Sequence, residues 1–147
     1  HLGTNGSAGE MGHCCVEEDG RPCNCGPKGC LEAYASDRGI AQTARELLDE
    51  SHQPSMLRSL EELTPVAIAE CCEQGDELAL EVYRRTGVVL GLGLANIATV
   101  LDPEAIILTG ELVGVLAGVL VGVLVRVLVG AAKLGCTFHS SVGLICR

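Results

Sequence analysis

The amino-acid sequence predicts a mostly helical domain with a few short strands. Three observations carry this reading. Apolar residues recur at steps of three and four over long stretches. Two of those stretches open on helix-start signals, Thr64-Pro65 and Asp76. Only the short runs 14–18 and 105–108 read as strands. The 147 residues suit one domain or part of one. At 48% hydrophobic the chain has too much apolar surface to stay disordered.

The elements follow in order. A short helix begins near Gly29 or Cys30 and runs through Ala35. Asp37 is expected to cap a second helix, whose apolar positions Ile40, Ala44, Leu47 and Leu48 have helical spacing. Ser51-His52-Gln53-Pro54-Ser55 reads as a loop, with His52 a solvated loop residue. Met56, Leu57, Leu60 and Leu63 predict a short amphipathic helix. Thr64 and Pro65 start the next helix, which ends at Gly75. Asp76 then caps a long helix with an apolar face of Leu80, Tyr83, Gly87, Leu90, Leu94, Ile97 and Leu101. Gly87, Gly91 and Gly93 would each weaken an isolated helix by about 1 kcal/mol, so another element should pack close against them. Asp102-Pro103 ends the helix, and 105–108 follows as a buried strand.

Charge divides the chain. Residues 112–147 hold three bases (Arg126, Lys133, Arg147) and no acid, so the first 111 carry all 19 acids and the other seven bases, a net charge of −12. That balance repels phosphate, and no nucleic acid is expected to bind this segment. The start, His1-Leu2-Gly3, shows no basic segment leading into an apolar run and no initiator Met. A fragment or processed chain is expected, in the cytoplasm.

Nine cysteines, an odd count with no secretory signal, argue against a disulfide framework. Cys14-Cys15 and Cys71-Cys72 are expected to be buried free thiols. The stretch GHCCVEEDGRPCNCGPKGC, residues 12–30, reads differently. Its pattern His13-x9-Cys23-x-Cys25-x4-Cys30 supplies the four donors of a Cys3His zinc site. Gly26, Pro27, Lys28 and Gly29 allow the reversal that returns Cys30 to the other two thiols. A short strand and a turn at Asp19-Gly20 would bring His13 back over the loop.

Two motifs in this region, E-x-G-H at Glu10-Met11-Gly12-His13 and C-x-C-G-x-x-G-C-x-E over 23–32, resemble the ROK family of bacterial glucokinases, N-acetylhexosamine kinases and sugar-responsive repressors. A weaker match, TGVVLGLGLANIATVLDPEAIILTG over 86–110, looks like the family's long Gly-punctuated helix and the strand after it. The resemblance covers about residues 3–110. It implies an α/β fold, a lobe of an actin-like (ribonuclease H-like) ATPase, mostly helical in this part, with a zinc-binding loop. It implies a structural zinc on His13, Cys23, Cys25 and Cys30 and sugar contacts from Glu10, His13 and Glu32. His13 would give one ring nitrogen to zinc and donate from the other to a sugar hydroxyl. Carboxylates suit that task because each accepts hydrogen bonds at several lone pairs. The bland alternative for Glu10 and Glu32 is a solvated surface acid; their place inside the motifs favours the sugar. Asn24 and Lys28 read as loop residues.

The resemblance also implies a hexose or N-acetylhexosamine as ligand, ATP and magnesium as cofactors of the full-length kinase, and a homo-oligomer at full length. Full-length members carry an N-terminal D-x-G-G-T phosphate loop, an Asp general base and a second Gly-rich loop. None of these occurs in the chain, and Gly3-Thr4-Asn5-Gly6-Ser7 reads as a turn-rich linker. Phosphoryl transfer depends on positioning and charge stabilisation. No catalytic residue is therefore assigned, and the chain alone is expected to be inactive. The family's glycine pair near adenosine is replaced by Glu111 after Thr109-Gly110.

Three segments result: 1–36, sugar contact and zinc binding; 37–110, the helical remainder of the lobe; and 111–147, an atypical Gly/Val/Leu-rich tail. The tail repeats (Gly or Arg)-Val-Leu-(Ala or Val) from Gly114. A membrane span, a buried helix and a shifted reading frame compete for it. Residues 112–130 approach the roughly 20 apolar residues of a span, but Arg126 falls inside. Acids and resemblance both stop near Gly110-Glu111, which favours a shifted frame and disfavours a membrane. Three functions follow: a piece of a glucokinase-like hexose kinase, a piece of a sugar-responsive repressor, or a zinc-stabilised sugar-binding remnant.

Overall fold

Three helices of this chain start where the side chain of Ser36, Thr64 or Asp76 satisfies an orphan backbone N–H. The structure is a computed structural model that describes residues 3–104 and 106–108, and the backbone of 136–139 and 143–146. It contains helices α1 (Glu32–Ala35), α2 (Asp37–Glu50), α3 (Pro65–Glu73) and α4 (Glu77–Leu101), and strands β1 (Ile106–Leu108), β2 (Cys136–His139) and β3 (Gly143–Cys146). The repeat from Gly114 and its three competing readings lie outside the described residues. No helix among those described is long and apolar enough to cross a membrane.

The helix α2 is capped one residue earlier than predicted. Ser36, in extended conformation, accepts from Gly39 N, and Asp37 is the first helical residue. Ile40, Ala44 and Leu47 are buried and Leu48 is partly buried, as the spacing predicts. The amphipathic helix expected at 56–63 reduces to a 3-10 turn, Met56–Ser59, in which Leu57 is buried.

Thr64 accepts from Ala67 N, and Pro65 stands in the first turn of α3. That helix stops two residues before Gly75. Gly75 takes φ +82°, its N–H bonds Cys72 O, and Asp76 N–H bonds Cys71 O. This is the paired closure in which glycine supplies the left-handed residue. Asp76 then caps α4 by accepting from Ala79 N, and its carboxylate also takes Ser55 Oγ and Met56 N. Burial pushes this carboxyl up, but the hydrogen bonds from Ala79, Met56 and Ser55 outweigh it and hold it below the ordinary range. One carboxylate thus joins the 51–55 loop, the 3-10 turn and the start of α4.

The core lies among α2, α3, α4 and the 3-10 turn at 56–59. Ile40, Ala44, Leu47, Leu57, Ile68, Val82 and Tyr83 form its centre. Tyr83 is fully buried and donates to Pro65 O at 2.6 Å. Burying each large side chain of this set stabilises by about 1.5–3 kcal/mol. The Cys71 and Cys72 thiols are buried here, and burial pushes Cys72 up to about 12. Cys14 and Cys15 depart from expectation: Cys14 is half-buried and Cys15 exposed, because their segment lies on the surface.

The buried face of α4 is rotated from the predicted one. Leu78, Ala79, Val82, Tyr83, Thr86, Gly87, Leu94, Ala95 and Ala98 are buried, whereas Leu101 is 61% exposed. Small residues turn inward because neighbours approach closely. At Gly93 an added Cβ would stand 2.6 Å from Leu31 Cδ2. Asp102, at φ 43°, ends the helix as predicted. The strand after it is not fully buried: Ile107 is 54% exposed. The strand β1 pairs antiparallel with β3, Ile107 opposite Ile145, and β3 pairs antiparallel with β2, giving the order β1-β3-β2.

Candidate metal and sugar site

The segment from Gly9 to Leu31 has little apolar content, so backbone pairing and polar anchors shape it. Glu10 precedes a 3-10 turn, Met11–His13, in which His13 N bonds Glu10 O at 3.1 Å. The strand expected at 14–18 is only an isolated bridge, Cys15 opposite Cys30. The predicted turn is present, with Gly20 N on Glu17 O at 3.1 Å. A second bridge, Pro22 opposite Lys28, makes a small hairpin with a turn over 23–26, Gly26 N on Cys23 O. Gly29 has to be glycine: its φ is +73°, and an added Cβ would fall 1.6 Å from Glu17 O.

This folding brings the four predicted ligands together. One donor atom each from His13, Cys23, Cys25 and Cys30 lies within 4.8 Å of all the others. Cys23 Sγ is 3.6 Å from His13 Nδ1, and Cys25 Sγ is 3.5 Å from Cys30 Sγ. A tetrahedral zinc with its usual bond lengths separates its ligand atoms by about 3.3–3.8 Å. The donor set therefore fits a soft divalent cation with small inward movements.

The protons of the cluster point the same way. Hydrogen bonds from the backbone and thiol of Cys25 lower Cys23 to about 7. Burial and the neighbouring Cys25 push Cys30 up to about 12. The Cys23 contact, and after it the charge of Glu32, raise His13 against a smaller effect of burial. These groups share protons where a cation would replace them.

The other face of the imidazole meets an acid. His13 Nε2 is 3.7 Å from Glu32 Oε2, and Gly12 lies beside the Glu32 side chain. One ring nitrogen thus faces the thiols and the other faces Glu32. The Glu10 carboxylate is exposed at the start of the same turn. Glu32 and Cys23 also line a recess of about 100 Å³ with Asn24, Ser36, Arg38 and Gln42. Small-molecule cavities usually hold about 300–1,000 Å³. Among the described residues, the three predicted sugar contacts make a wall and not an enclosed pocket. A larger cleft, about 620 Å³, lies elsewhere, between the 17–21 loop and α4, and includes none of them.

Sequence reasoning missed Arg21, which moors the loop to the helices. Its guanidinium donates to Ala33 O, Gly39 O, Thr43 Oγ1 and Glu46. It also lies 4.7 Å from the Tyr34 ring centre, and the Tyr34 hydroxyl accepts from Arg21 N at 2.8 Å. The only local signal was a lone Arg in an acidic run, which does not point to partners 12 to 25 residues away.

Residues 1–129 match the ROK family. The chain belongs to the ROK family. The match passes Glu111, beyond the point where the motif-level resemblance stops. A glucokinase from Halalkalibacterium halodurans is 39% identical over 112 residues, 74% of this chain and 34% of that protein. The DNA-binding transcriptional dual regulator NagC of Escherichia coli is 36% identical over 111 residues, 76% of this chain and 27% of the regulator. A ROK family glucokinase from Streptomyces griseus, solved with glucose and AMPPNP, matches with TM-score 0.73 and 29% identity over 85% of this chain and 43% of its own. The ROK chain thus spans about a third of the length of the glucokinase it matches. Its structural neighbours include ROK sugar kinases with the actin-like ATPase fold, in agreement with the class implied by the motifs, and a ROK family transcriptional regulator.

Proposed function

We propose that this ROK chain carries the sugar-recognition wall and structural zinc knot of a glucokinase-like hexose kinase. One observation carries the reading: a single imidazole has Nδ1 on the thiol cluster and Nε2 on Glu32. Zinc on His13, Cys23, Cys25 and Cys30 would fix that ring and, through it, the acid beside it. Glu10 and Glu32 accept from hexose or N-acetylhexosamine hydroxyls, and His13 Nε2 donates to one. ATP and magnesium belong to the full-length kinase. The acceptor hydroxyl is deprotonated by a base outside this chain, so the chain alone does not turn over. Its residues 1–111 carry no surplus of positive charge, and no nucleic-acid contact is assigned to them.

The 36% identity to NagC supports a second reading, a sugar-responsive repressor that uses the same wall to sense its effector. ATP-dependent phosphorylation of glucose by the full-length protein supports the kinase; sugar-sensitive DNA binding without phosphorylation supports the repressor.

Glu10→Ala and Glu32→Ala in the full-length protein test the wall itself. Charge-assisted hydrogen bonds contribute about 1.5–3 kcal/mol each, so calorimetry should show sugar affinity falling roughly 10- to 150-fold. Zinc content should stay at about one per chain. Unchanged sugar affinity in both variants removes the assignment.

A further inference from the structure

The knot contains a pair of thiols arranged for chemistry as well as for holding a metal. We propose that Cys25 and Cys30 form a peroxide-sensitive dithiol whose oxidation expels the metal and releases His13. This rests on the reading that the knot holds zinc.

The two thiols differ in access and freedom. Cys25 Sγ and Cys30 Sγ are 3.5 Å apart; Cys23 Sγ lies within 4.8 Å of both and also contacts His13 Nδ1 at 3.6 Å, so Cys23 is an alternative partner that the test must separate. Cys25 is exposed near the hairpin tip, and its neighbour Gly26, at φ +109°, has nothing within 4 Å of where a Cβ would stand. Cys25 therefore has room to swing. Cys30 is buried, and its backbone is pinned on both sides by Val16 N on Gly29 O and Leu31 N on Cys14 O. A disulfide needs the sulfurs at about 2.05 Å, a closure that the mobile partner can make.

Cys15 is another rival partner. It is exposed and stands opposite Cys30 across the bridge, in the pair type without its own hydrogen bonds, where Cα atoms approach to about 4.5 Å. The sulfur contact already made by Cys25 decides between them.

The reaction balances with a hydroperoxide as oxidant. The Cys25 thiolate attacks one peroxide oxygen and the O–O bond breaks. The departing hydroxide takes a proton and leaves as water, and Cys25 becomes a sulfenic acid. The Cys30 sulfur attacks the Cys25 sulfur, forming S–S and breaking S–O. The displaced hydroxyl takes a second proton from solvent and leaves as water. Two electrons pass from the dithiol to the peroxide, and zinc loses two of its four ligands.

The test uses the whole zinc-loaded chain, with zinc content measured first. One equivalent of hydrogen peroxide is added while a chromophoric chelator reports released zinc. Free thiols are then alkylated and the disulfide is mapped by tandem mass spectrometry after trypsin, which cuts at Lys28 and so leaves Cys25 and Cys30 on different peptides. The expected result is about one zinc released per Cys25–Cys30 link, reversed by dithiothreitol and added zinc. Cys15→Ser should bind zinc normally and release it at a rate within twofold of the parent. A dominant link that involves Cys15 or Cys23, a tenfold slower release in Cys15→Ser, or zinc retained with all thiols free would overturn the proposal and leave the zinc site standing. A chain that takes up no zinc at the outset overturns the zinc reading itself.

Discussion

At the scale of single residues, Arg21 connects the metal loop to the rest of the protein. Its side chain is only 12% exposed and serves two backbone carbonyls, a threonine hydroxyl and Glu46. Glu46 is 42% exposed, so solvent screening limits the ion pair to under about 1 kcal/mol. The bonds to Ala33 O and Gly39 O matter more, because one guanidinium nitrogen ties a carbonyl of α1 to a carbonyl in the first turn of α2. Truncation removes the donor that reaches Ala33 O and Thr43 Oγ1, while Gly39 O keeps its bond from the Thr43 hydroxyl. Arg21→Ala should therefore lower stability by about 2–3 kcal/mol in urea titration. Arg21→Lys should recover less than half of that, since a point ammonium cannot reach four acceptors in fixed directions. A loss below about 0.5 kcal/mol for the alanine variant would show that the loop is held by other means. Nothing in the sequence near Arg21 foretold this role, because all four acceptors come from residues beyond the metal loop. The clustering of His13, Cys23, Cys25 and Cys30 was legible for the opposite reason: their spacing alone restricts what they can do together.

Elements tell the same story with different physics. Thr64-Pro65 and Asp76 were readable as helix starts because a cap acts on atoms two or three residues away. The register of α4 was not. Of the predicted face, Tyr83, Gly87 and Leu94 are buried and Leu101 is exposed, while Ala95 and Ala98 join the interior; the close neighbour expected at the glycines is Leu31, packed against Gly93. Tertiary contact chose the face, and the hydrophobic pattern by itself could not. The run 14–18 failed as a strand for a related reason: it has one bridge partner and no sheet to join. Asp76 carries the prediction at this scale. Its folded carboxyl titrates below its ordinary value of 3.8, since hydrogen bonds from Ala79, Met56 and Ser55 outweigh burial. A depressed acid contributes stability that is fully present above the unfolded value and is lost as pH falls toward the lower folded one. Denaturation below about pH 4 should thus steepen because of this group. Asp76→Asn should cost about 1–2 kcal/mol at pH 7 and show a flatter acid limb from pH 5 to 2. Parallel acid limbs for parent and variant would remove Asp76 from the account.

The whole molecule divides unevenly between apolar and polar cohesion. Its buried cluster draws on residues 40 to 83, all within α2, α3, α4 and the 3-10 turn between them. The stretch from Gly9 to Cys30 contributes nothing to that cluster; Arg21, two bridges, local backbone turns and the thiol–imidazole knot fix its shape. Metal bound to the folded form and weakly to the unfolded one stabilises the fold by linkage. Chelation should therefore act in two unequal ways. The 9–31 loop should lose amide protection almost completely, while α2 and α4 keep theirs. The melting temperature should fall by several degrees, since a small domain shifts about 4–8 °C for each kcal/mol. Hydrogen exchange and calorimetry on the zinc-loaded chain, with and without a strong chelator, measure both. Equal melting in the two conditions would show that the metal does not hold the fold. Loss of protection in α2 and α4 along with the loop would show that the helical core depends on the knot, contrary to the separation of their contacts.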